Sequence, residues 1–410
     1  MRWLSGLSGQ VRQYLLITAN YWAFTLTDGA LRMLVVLHFY QLGFSPLEIA
    51  MLFLFYEIFG VITNLLGGWL GAHLGLNKTM NIGLLMQIVA LSMLLVPENF
   101  LVIPWVMSAQ ALSGIAKDLN KMSAKSAIKL LVPSDAQSRL YRWVAILTGS
   151  KNTLKGVGFF LGGFLLAVSG FQGAVLIMAA ALLLVWIVSL LNLKQDLGKA
   201  RIKPKFSQIL SKSRAINYLS AARLFLFGSR DVWFVVALPV FLASSLQWSH
   251  TAVGSFLALW VIGYGMVQAI APLLTGRKRG HLPDGKSVFG WALTLAFIPA
   301  LIALGMINGY PVELILLGGL ILFGIVFAVN SSLHSFLIVH YASDDGVSLD
   351  VGFYYMANAL GRLIGTVLSG WLFQVKGIEA CLWVSAAFIL VSALLSLALP
   401  ANNPAQNRTS

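Results

Sequence analysis

The chain has 410 residues, of which 58% are hydrophobic and only 10% charged, and its mean hydropathy is +0.83. Soluble domains carry about 25% charged residues, so this composition excludes a soluble globular protein and predicts a protein that crosses a membrane several times. The net charge of +14 indicates basic cytoplasmic loops rather than nucleic-acid binding, and the single cysteine, Cys381, excludes an internal disulfide and a thiolate metal cluster.

Apolar runs separated by short polar breaks predict twelve membrane spans, because about 20 apolar residues cross the hydrocarbon core of a bilayer. In chain order, the first six spans cover residues 12–40, 46–71, 79–96, 101–125, 139–169 and 173–193. The last six cover residues 214–246, 249–275, 286–307, 311–340, 350–375 and 378–399. The predicted fold class is therefore an all-α integral membrane protein with twelve transmembrane helices.

The spans form two groups of six, and these groups define the predicted domains. They are an N-terminal six-helix bundle at 1–193, a cytoplasmic basic linker at 194–213, a C-terminal six-helix bundle at 214–400 and a cytoplasmic tail at 401–410. Basic residues concentrate in the even-numbered breaks between spans, above all in this linker and at Arg277-Lys278-Arg279. Because basic loops stay on the cytoplasmic side, both termini are predicted to be cytoplasmic.

An internal repeat relates the two groups of spans. Repeat-equivalent positions hold Lys155 and Arg362, Asp28 and Asp231, and Asn64 and Gln268. Two glycine-rich ridges, 156–163 and 365–370, are also equivalent and predict close helix packing. Same-sense repeats of six spans are typical of transporters whose substrate site lies between the repeats.

Ionisable residues are segregated among the spans. Spans three, six, nine and twelve contain none in their interiors, whereas six of the other spans contain Asp28, Arg32, Glu57, Lys117, Asp118, Lys121, Lys151, Lys155, Arg223, Arg230, Asp231 and Arg362. Charges at membrane depth usually face a protein interior or a water-filled cavity. This period of three predicts a bundle in which every third helix faces lipid and the others surround a cavity.

The loop between spans two and three carries a recognisable motif, and through it the chain resembles the major facilitator superfamily over nearly its whole length. Gly68, Leu70 and Gly75 match the signature of that family, but Ala72 replaces its acidic residue, so the gating salt bridge of the family is not expected here. The resemblance implies two bundles of six helices with spans three, six, nine and twelve outermost, and a transporter rather than an enzyme.

Two N-terminal stretches resemble a narrower family, the organoarsenical efflux permeases of the ArsJ type. They are NYWAFTLTDGALRMLVVLHFYQLGFSPLEIA at 20–50 and FLFYEIFGVITNLLGGWLGA at 53–72. The resemblance implies a bacterial inner-membrane protein without a cofactor that exports 1-arseno-3-phosphoglycerate for arsenate resistance. It also implies a functional partnership with glyceraldehyde-3-phosphate dehydrogenase, which makes this ester when it accepts arsenate in place of phosphate.

The deep cations are the candidate substrate ligands, because eight of them outnumber four deep acids. Each cation alone is explained as well by a structural ion pair, but the surplus is not. An arginine in a low dielectric does not readily lose its proton, so an uncompensated one recruits an anion. The predicted substrate-binding residues are Arg32, Lys117, Lys155, Arg230, Arg362, Asn64 and Gln268.

Deep carboxylates are the candidate carriers of a coupled proton. Asp28 is expected to pair with Arg32 one turn further on, and a carboxylate beside arginine carries protons poorly. Glu57 has no basic residue within one turn and is the preferred candidate, with Asp28 and Asp231 behind it. No metal site is expected, because His334 and His340 share a helix without an acid or thiol.

Other functions remain open from the residues. An organic-phosphate or multidrug transporter has the same fold, although lipophilic cations would favour an acidic cavity. A membrane-embedded transferase needs catalytic acids near the interface, for which Asp344-Asp345 is the one hint. Tyr21, Trp22, Phe55 and Tyr56 either line a cavity or pack against neighbouring helices.

Overall fold

The computed structural model describes residues 9–43, 52, 54–133, 136–193, 197–200, 212–275 and 282–400. Within these ranges the chain is helical and contains no strand, which confirms the predicted all-α class. Most of the basic linker, Arg277-Lys278-Arg279, the predicted tail and the start of the second span lie outside the described residues.

Eleven α-helices cover the described residues. In chain order they are α1 Gly9–Gln41, α2 Leu54–Leu74, α3 Leu76–Met93, α4 Ile103–Leu131, α5 Gln137–Asn192, α6 Arg214–Phe234, α7 Ala237–Ser244, α8 His250–Leu274, α9 Gly285–Ile307, α10 Val312–Tyr341 and α11 Val347–Ser396. Serine and aspartate side chains cap the N-termini of three of these helices, α6, α8 and α9. Ser213, Ser249 and Asp284 accept hydrogen bonds from the third backbone N–H beyond them, which satisfies donors that a helix start leaves free.

Two of these helices are too long to cross a bilayer once. α5 has 56 residues and α11 has 50, so at 1.5 Å per residue they extend for about 84 and 75 Å, against a hydrocarbon core of about 30 Å. Gly170 in α5 and Gly377 in α11 have φ of 68° and 79°, which breaks each helix near its middle. Each long helix therefore supplies two spans.

The seventh span is the opposite case, because α6 and α7 together make one crossing of 31 residues. The helix is interrupted after Phe234, and the backbone N–H of Ala237 donates to the Ser369 hydroxyl at 3.0 Å. Six segments of the described chain are long and apolar enough to span a membrane by length and composition alone. With α5 and α11 each divided at its glycine, the helices correspond to the twelve predicted spans.

Contacts group the chain into two compact units. The described residues of 1–136, 150–211 and 342–356 belong to unit 1, and those of 137–149, 212–341 and 357–410 belong to unit 2. The first turns of α5 therefore group with unit 2, and the first turns of α11 with unit 1. Each unit has its own apolar core: Phe24, Leu34 and Leu84 lie in that of unit 1, whereas Trp233 and Phe323 lie in that of unit 2.

Close backbone approach confirms the packing predicted for the glycine ridges. In unit 1, a Cβ added to Gly158 of α5 would lie 2.7 Å from the Leu26 carbonyl oxygen of α1. In unit 2, a Cβ added to Gly365 of α11 would lie 2.6 Å from the Gly228 carbonyl oxygen of α6. The prediction is wrong at the end of the second ridge, because nothing lies within 4 Å of a Cβ added to Gly370.

The segments predicted to face lipid expose large apolar side chains. Exposed examples are Val89 in α3, Leu184 in α5 beyond Gly170, Leu301 in α9 and Leu394 in α11 beyond Gly377. Apolar surface of this extent is unfavourable in water and favourable against acyl chains. These four segments contain no charged residue in their interiors, as the sequence showed.

Candidate functional site

Three charged side chains of unit 1 contact Tyr56 of α2. Its hydroxyl donates to Asp28 Oδ1 of α1 at 2.8 Å. Arg32 Cζ, one turn beyond Asp28, lies 4.7 Å from the centroid of the Tyr56 ring, and Lys117 Nζ of α4 lies 3.7 Å from it. A cation over an aromatic face is attracted by the ring quadrupole, so the ring holds both cations near Asp28.

The pairing of the unit 1 acids differs from the prediction. The expected contact of Asp28 with Arg32 is wrong, because Arg32 Nη2 lies 3.2 Å from Glu57 Oε1 while Asp28 accepts from Tyr56. The physical reason is that the Glu57 side chain reaches Arg32 from another helix, α2, whereas a comparison of positions one turn apart considers a single helix. Glu57 is therefore paired with a cation, which local sequence did not reveal, and its role as proton carrier stays a prediction.

Asp118 of α4 is shared between two lysines of the same helix. Its Oδ1 lies 2.5 Å from Lys121 Nζ, and its Oδ2 lies 3.9 Å from Lys117 Nζ. The carboxylate is almost fully buried, whereas both lysines are partly exposed. Asp118 therefore compensates Lys121 far better than Lys117.

One further lysine of α4, Lys125, contacts the first turns of α11, which also belong to unit 1. Lys125 Nζ donates to the Tyr355 hydroxyl at 2.5 Å, and Lys121 Nζ lies 4.7 Å from the centroid of the same ring. Closer to the end of α4, Lys129 Nζ lies 3.5 Å from Asp344 Oδ1. A row of cations along α4 thus extends from Lys117 to Lys129.

The lysines of α5 lie in the same unit. Lys151 Nζ donates to Asn152 Oδ1 at 3.2 Å, and both Lys151 and Lys155 are partly buried. The backbone of Lys155 packs on Gly29 of α1, where an added Cβ would lie 2.7 Å from the Lys155 carbonyl oxygen. The backbone of α5 at Lys155 therefore packs closely against α1, the helix that carries Asp28 and Arg32.

The charge cluster of unit 2 is built around Asp231 of α6. Arg230 Nε donates to its Oδ1 at 2.6 Å, and Arg362 Nε of α11 donates to its Oδ2 at 2.9 Å. The carboxylate is fully buried, whereas the Arg230 and Arg362 side chains are 15% and 28% exposed. One negative charge between two guanidiniums leaves this cluster with a net positive charge.

Arg223 lies two turns before Arg230 in a more enclosed setting. Its Nε donates to Asn358 Oδ1 at 2.9 Å, its Nη1 donates to the Ser331 hydroxyl at 3.1 Å, and its Cζ lies 3.9 Å from the centroid of the Phe227 ring. The side chain is nearly fully buried. These contacts fit a structural role better than a role in binding substrate from the aqueous phase.

The two predicted amide ligands are also buried. Asn64 Nδ2 donates to the Gly60 carbonyl oxygen at 2.5 Å, and Gln268 Nε2 donates to the Ser331 hydroxyl at 3.0 Å. Both side chains are inaccessible in this structure. The structure therefore brings Arg32 and Lys117 together in unit 1 and Arg230 and Arg362 together in unit 2.

Sequence reasoning missed three participants. The sequence leaves open whether Tyr56 lines a cavity or packs against neighbouring helices, and the predicted ligands do not include Lys125 or Tyr355. No local signal marks Tyr56, since the two cations over its ring come from helices other than its own. Lys125, by contrast, lies eight residues beyond Lys117 and on the same helix face, so helical periodicity could have extended the predicted cation row to it.

Potential metal ligands were compared over the residues that the structure describes. In the described part of the chain, no group of three His, Cys, Asp or Glu residues has the geometry to hold a metal ion. His334 is fully buried within α10, and His340 Nδ1 lies 2.9 Å from Gln137 Oε1.

Comparison with known proteins identifies the fold. The Major Facilitator Superfamily model matches residues 15–233 and 219–410. The human organic anion transporter MFSD10 (TETRAN) has a similar structure, with a TM-score of 0.75 and 17% identity over 95% of this chain and 100% of that one. A bacterial homologue of the iron transporter ferroportin, in its outward-facing state, is also similar. Its TM-score is 0.72, with 15% sequence identity over 94% of this chain and 98% of that one.

The fucose:proton symporter FucP of E. coli is also similar, with a TM-score of 0.71 and 13% identity over 95% of this chain and 99% of that one. No curated protein sequence matches the chain. At these identities the solved structures establish the fold alone. The family match extends over almost the whole sequence, and it agrees with the twelve spans and with the repeat that relates the two halves of the sequence. The chain is thus a multi-pass membrane protein and a secondary transporter of the major facilitator superfamily.

Proposed function

We propose that this transporter exports an organic oxyanion with more than one anionic group, and that its substrate is 1-arseno-3-phosphoglycerate. In this proposal the protein lies in the inner membrane of a bacterium with both termini in the cytoplasm. Its physiological effect is arsenate resistance, in partnership with a glyceraldehyde-3-phosphate dehydrogenase that makes the ester.

The surplus of interior cations is the observation that supports an anionic substrate. In unit 1, the helices carry Arg32, Lys117, Lys121, Lys125, Lys151 and Lys155 against Asp28, Glu57 and Asp118. In unit 2, they carry Arg223, Arg230 and Arg362 against Asp231. Ion pairing within either unit leaves positive charge over, and positive charge at membrane depth is costly unless an anion or water compensates it.

The arginines of unit 2 fit the recognition of phosphate or arsenate oxygens. Arg230 and Arg362 are oriented by Asp231 and keep part of each guanidinium exposed. A guanidinium has five N–H donors in a fixed fork, so one carboxylate does not occupy all of them. The exposed part of each guanidinium can meet an oxyanion in the bidentate geometry that arginine prefers.

Each unit, taken by itself, contains cations with partly exposed side chains, Arg32 and Lys117 in unit 1 and Arg230 and Arg362 in unit 2. An ester with arsenate at one end and phosphate at the other offers such cations an oxyanion at either end. The identity of this ester comes from the resemblance of residues 20–50 and 53–72 to the organoarsenical permeases. The single cysteine is compatible with a pentavalent arsenic ester as substrate. Carriers of trivalent arsenic tend to bind it through thiols, and the thiol of Cys381 is fully buried.

The alternatives receive less support. A multidrug exporter for lipophilic cations needs an acidic interior to attract them. In this chain the interior cations outnumber the interior acids. For a membrane-embedded transferase, the Asp344-Asp345 pair is the one hint, and Asp344 pairs with Lys129. An organic-phosphate transporter would bind its substrate through the same cations. Only a test of the transported substrate distinguishes it from an exporter of the arsenic ester.

Arsenate tolerance of cells tests the substrate. In a host that lacks other arsenic exporters, expression of the protein is expected to confer tolerance only when glyceraldehyde-3-phosphate dehydrogenase is also present, because inorganic arsenate has no second anionic end. Loss of one charge-assisted contact costs about 1.5–3 kcal/mol, roughly ten- to a hundredfold in affinity. The measurement is growth against arsenate concentration, with and without the dehydrogenase.

Growth of cells expressing Arg362→Gln at matched membrane abundance is the control for tolerance unrelated to transport. Full protection in a host whose dehydrogenase gene is deleted would mean that arsenate itself is carried, and the proposed substrate would be wrong.

A further inference from the structure

A cavity of about 380 Å³ opens beside the last turn of α1, within unit 1. Its walls come from α1 at His38 and Gln41, and from α5 around its break, at Gly163, Gly170 and Phe171. Among the described residues that line it, none is Asp, Glu, Lys or Arg. Pockets that hold a small molecule, or one part of a larger molecule, have volumes of about 300–1,000 Å³. A wall without such charges favours an uncharged group of a ligand over an oxyanion.

Two glycines leave room in this cavity. A Cβ added to Gly170 would meet nothing within 4 Å, and one added to Gly163 would meet only Leu37 Cδ1, at 3.6 Å. By contrast, Gly158 of the same helix packs against the backbone of α1. The open space is therefore a local feature of α5 near its break, and a side chain at position 163 would extend into it.

His38 contributes a buried polar atom to the cavity wall. The residue is 7% exposed, and its Nε2 is buried without a hydrogen-bond partner among the residues that the structure describes. The imidazole ring stacks on Phe171, with ring centroids 4.0 Å apart and an interplanar angle of 18°, so its orientation is fixed. A buried nitrogen without a partner is unfavourable, and a ligand atom that bonds to it removes that cost. When Nε2 carries the ring proton, its partner is an acceptor such as a carbonyl oxygen.

The cavity lies where the helices reach the membrane boundary. α1 has 33 residues and is about 50 Å long, against a hydrocarbon core of about 30 Å, so its last turn lies near or beyond the edge of that core. α5 is broken at Gly170, between two predicted spans. Beside this break, Gln172 Nε2 donates to the Val96 carbonyl oxygen at 3.2 Å, in the connection between α3 and α4. Trp105 near the start of α4 is exposed, as is typical of tryptophan at a membrane–water interface.

The surface of α5 that adjoins the lining residues is apolar. Phe164 and Val168 directly follow the lining residues Gly163 and Ala167, and they are 62% and 69% exposed. Their spacing of four residues places them on one face of the helix. In a membrane protein, acyl chains cover such a face favourably. A lipid whose chain lies along it brings its glycerol-ester region, which has carbonyl oxygens and no charge, to the level of His38.

We propose that this cavity binds the glycerol-ester region of a membrane glycerophospholipid. An ester carbonyl oxygen of the lipid accepts a hydrogen bond from His38 Nε2, and one acyl chain lies along the face of α5 that carries Phe164 and Val168. The uncharged ester fits the uncharged wall, and the membrane supplies the lipid at this level. None of the residues that line the cavity belongs to the cation clusters, so the inference does not depend on the identity of the transported substrate.

Native mass spectrometry of the purified full-length protein, titrated in detergent with dioleoyl phosphatidylethanolamine, counts the bound lipids and gives the affinity of each. For the wild type, we expect the first lipid to bind more tightly than those that follow. His38→Phe keeps an aromatic ring against Phe171 but removes the nitrogen. It should weaken binding of the first lipid roughly two- to tenfold, the effect of one neutral hydrogen bond. Gly163→Leu fills the cavity and should abolish the distinct first site.

Gly290→Leu is the matched control, because Gly290 of α9 is exposed and a Cβ added there would meet nothing within 4 Å. This variant adds the same side chain outside the cavity and should bind the first lipid like the wild type. If Gly163→Leu does not fold, His38→Phe carries the test, since it keeps the size of the ring.

Successive lipids that bind the wild type with equal affinity overturn the lipid site, and so does an unchanged first-lipid affinity in either folded variant. Displacement of the first lipid by 3-phosphoglycerate would assign the cavity to an organic anion and would also overturn it. Each of these results leaves the proposed transport function to its own tests.

Discussion

Replacing Asp231 with asparagine is expected to lower the free energy of unfolding by about 3–5 kcal/mol, the usual cost of removing one partner from a buried ion pair. The side chain is fully buried, and its two oxygens accept hydrogen bonds from Arg230 and Arg362. Asparagine has the same shape but no charge, so the two guanidiniums would face each other without compensation. The measurement is thermal unfolding of the purified protein in detergent, with wild type and variant at equal concentration.

Asp344→Asn is the matched control, because Asp344 also pairs with a cation, Lys129, but is 82% exposed. Exposed pairs typically contribute about 0–1 kcal/mol, so this variant should unfold close to the wild type. Combining Asp231→Asn with Arg362→Gln restores the charge balance around position 231 and should recover part of the loss. Equal unfolding temperatures for Asp231→Asn and Asp344→Asn would contradict the assignment of Asp231 as the buried centre of unit 2.

Arg362→Gln is expected to reduce anion transport roughly ten- to a hundredfold while the protein still folds and inserts. Each charge-assisted hydrogen bond lost costs about 1.5–3 kcal/mol, which corresponds to this range. Folding should survive, because Asp231 keeps Arg230 as its partner. Transport is measured as uptake of labelled organic anion into membrane vesicles, normalised to the amount of protein in the membrane.

Lys155→Gln is the repeat-equivalent change in unit 1 and should reduce transport in the same way. Lys376→Gln provides the control on the same helix, since Lys376 is an exposed cation of α11. It should leave transport unchanged. Uptake near the wild-type rate in both Arg362→Gln and Lys155→Gln would remove the basis for an anion site.

Hydropathy predicted the spans well because crossing a bilayer imposes a length and an apolar composition that a sequence displays directly. The predicted gap between spans five and six, and between eleven and twelve, coincides with Gly170 and Gly377, whose positive φ breaks a helix that hydropathy alone would continue. The grouping of the first turns of α5 and α11 with the opposite units could not be predicted, because it depends on tertiary contacts rather than on composition.

The candidate site was predictable in its charges but not in its partners. Helical periodicity compares residues three or four positions apart, so it favoured Asp28 with Arg32 and left Glu57 alone. The actual partner of Arg32 is Glu57, 25 residues away on another helix. The burial of Asn64 and Gln268 could not be predicted either. Nothing in the residues around them distinguishes an amide that faces a cavity from one that is hydrogen-bonded within the protein.

The most direct test of the central claim is transport by the purified protein reconstituted in liposomes. Vesicles loaded with unlabelled 3-phosphoglycerate are diluted into labelled 3-phosphoglycerate, and accumulation of label is followed against glycerol as a neutral solute and tetraphenylphosphonium as a lipophilic cation. The account predicts accumulation of the organic anion by wild-type protein, little by Arg362→Gln, and none of glycerol or the cation. Accumulation of tetraphenylphosphonium without the anion, or equal anion accumulation by Arg362→Gln, would contradict it.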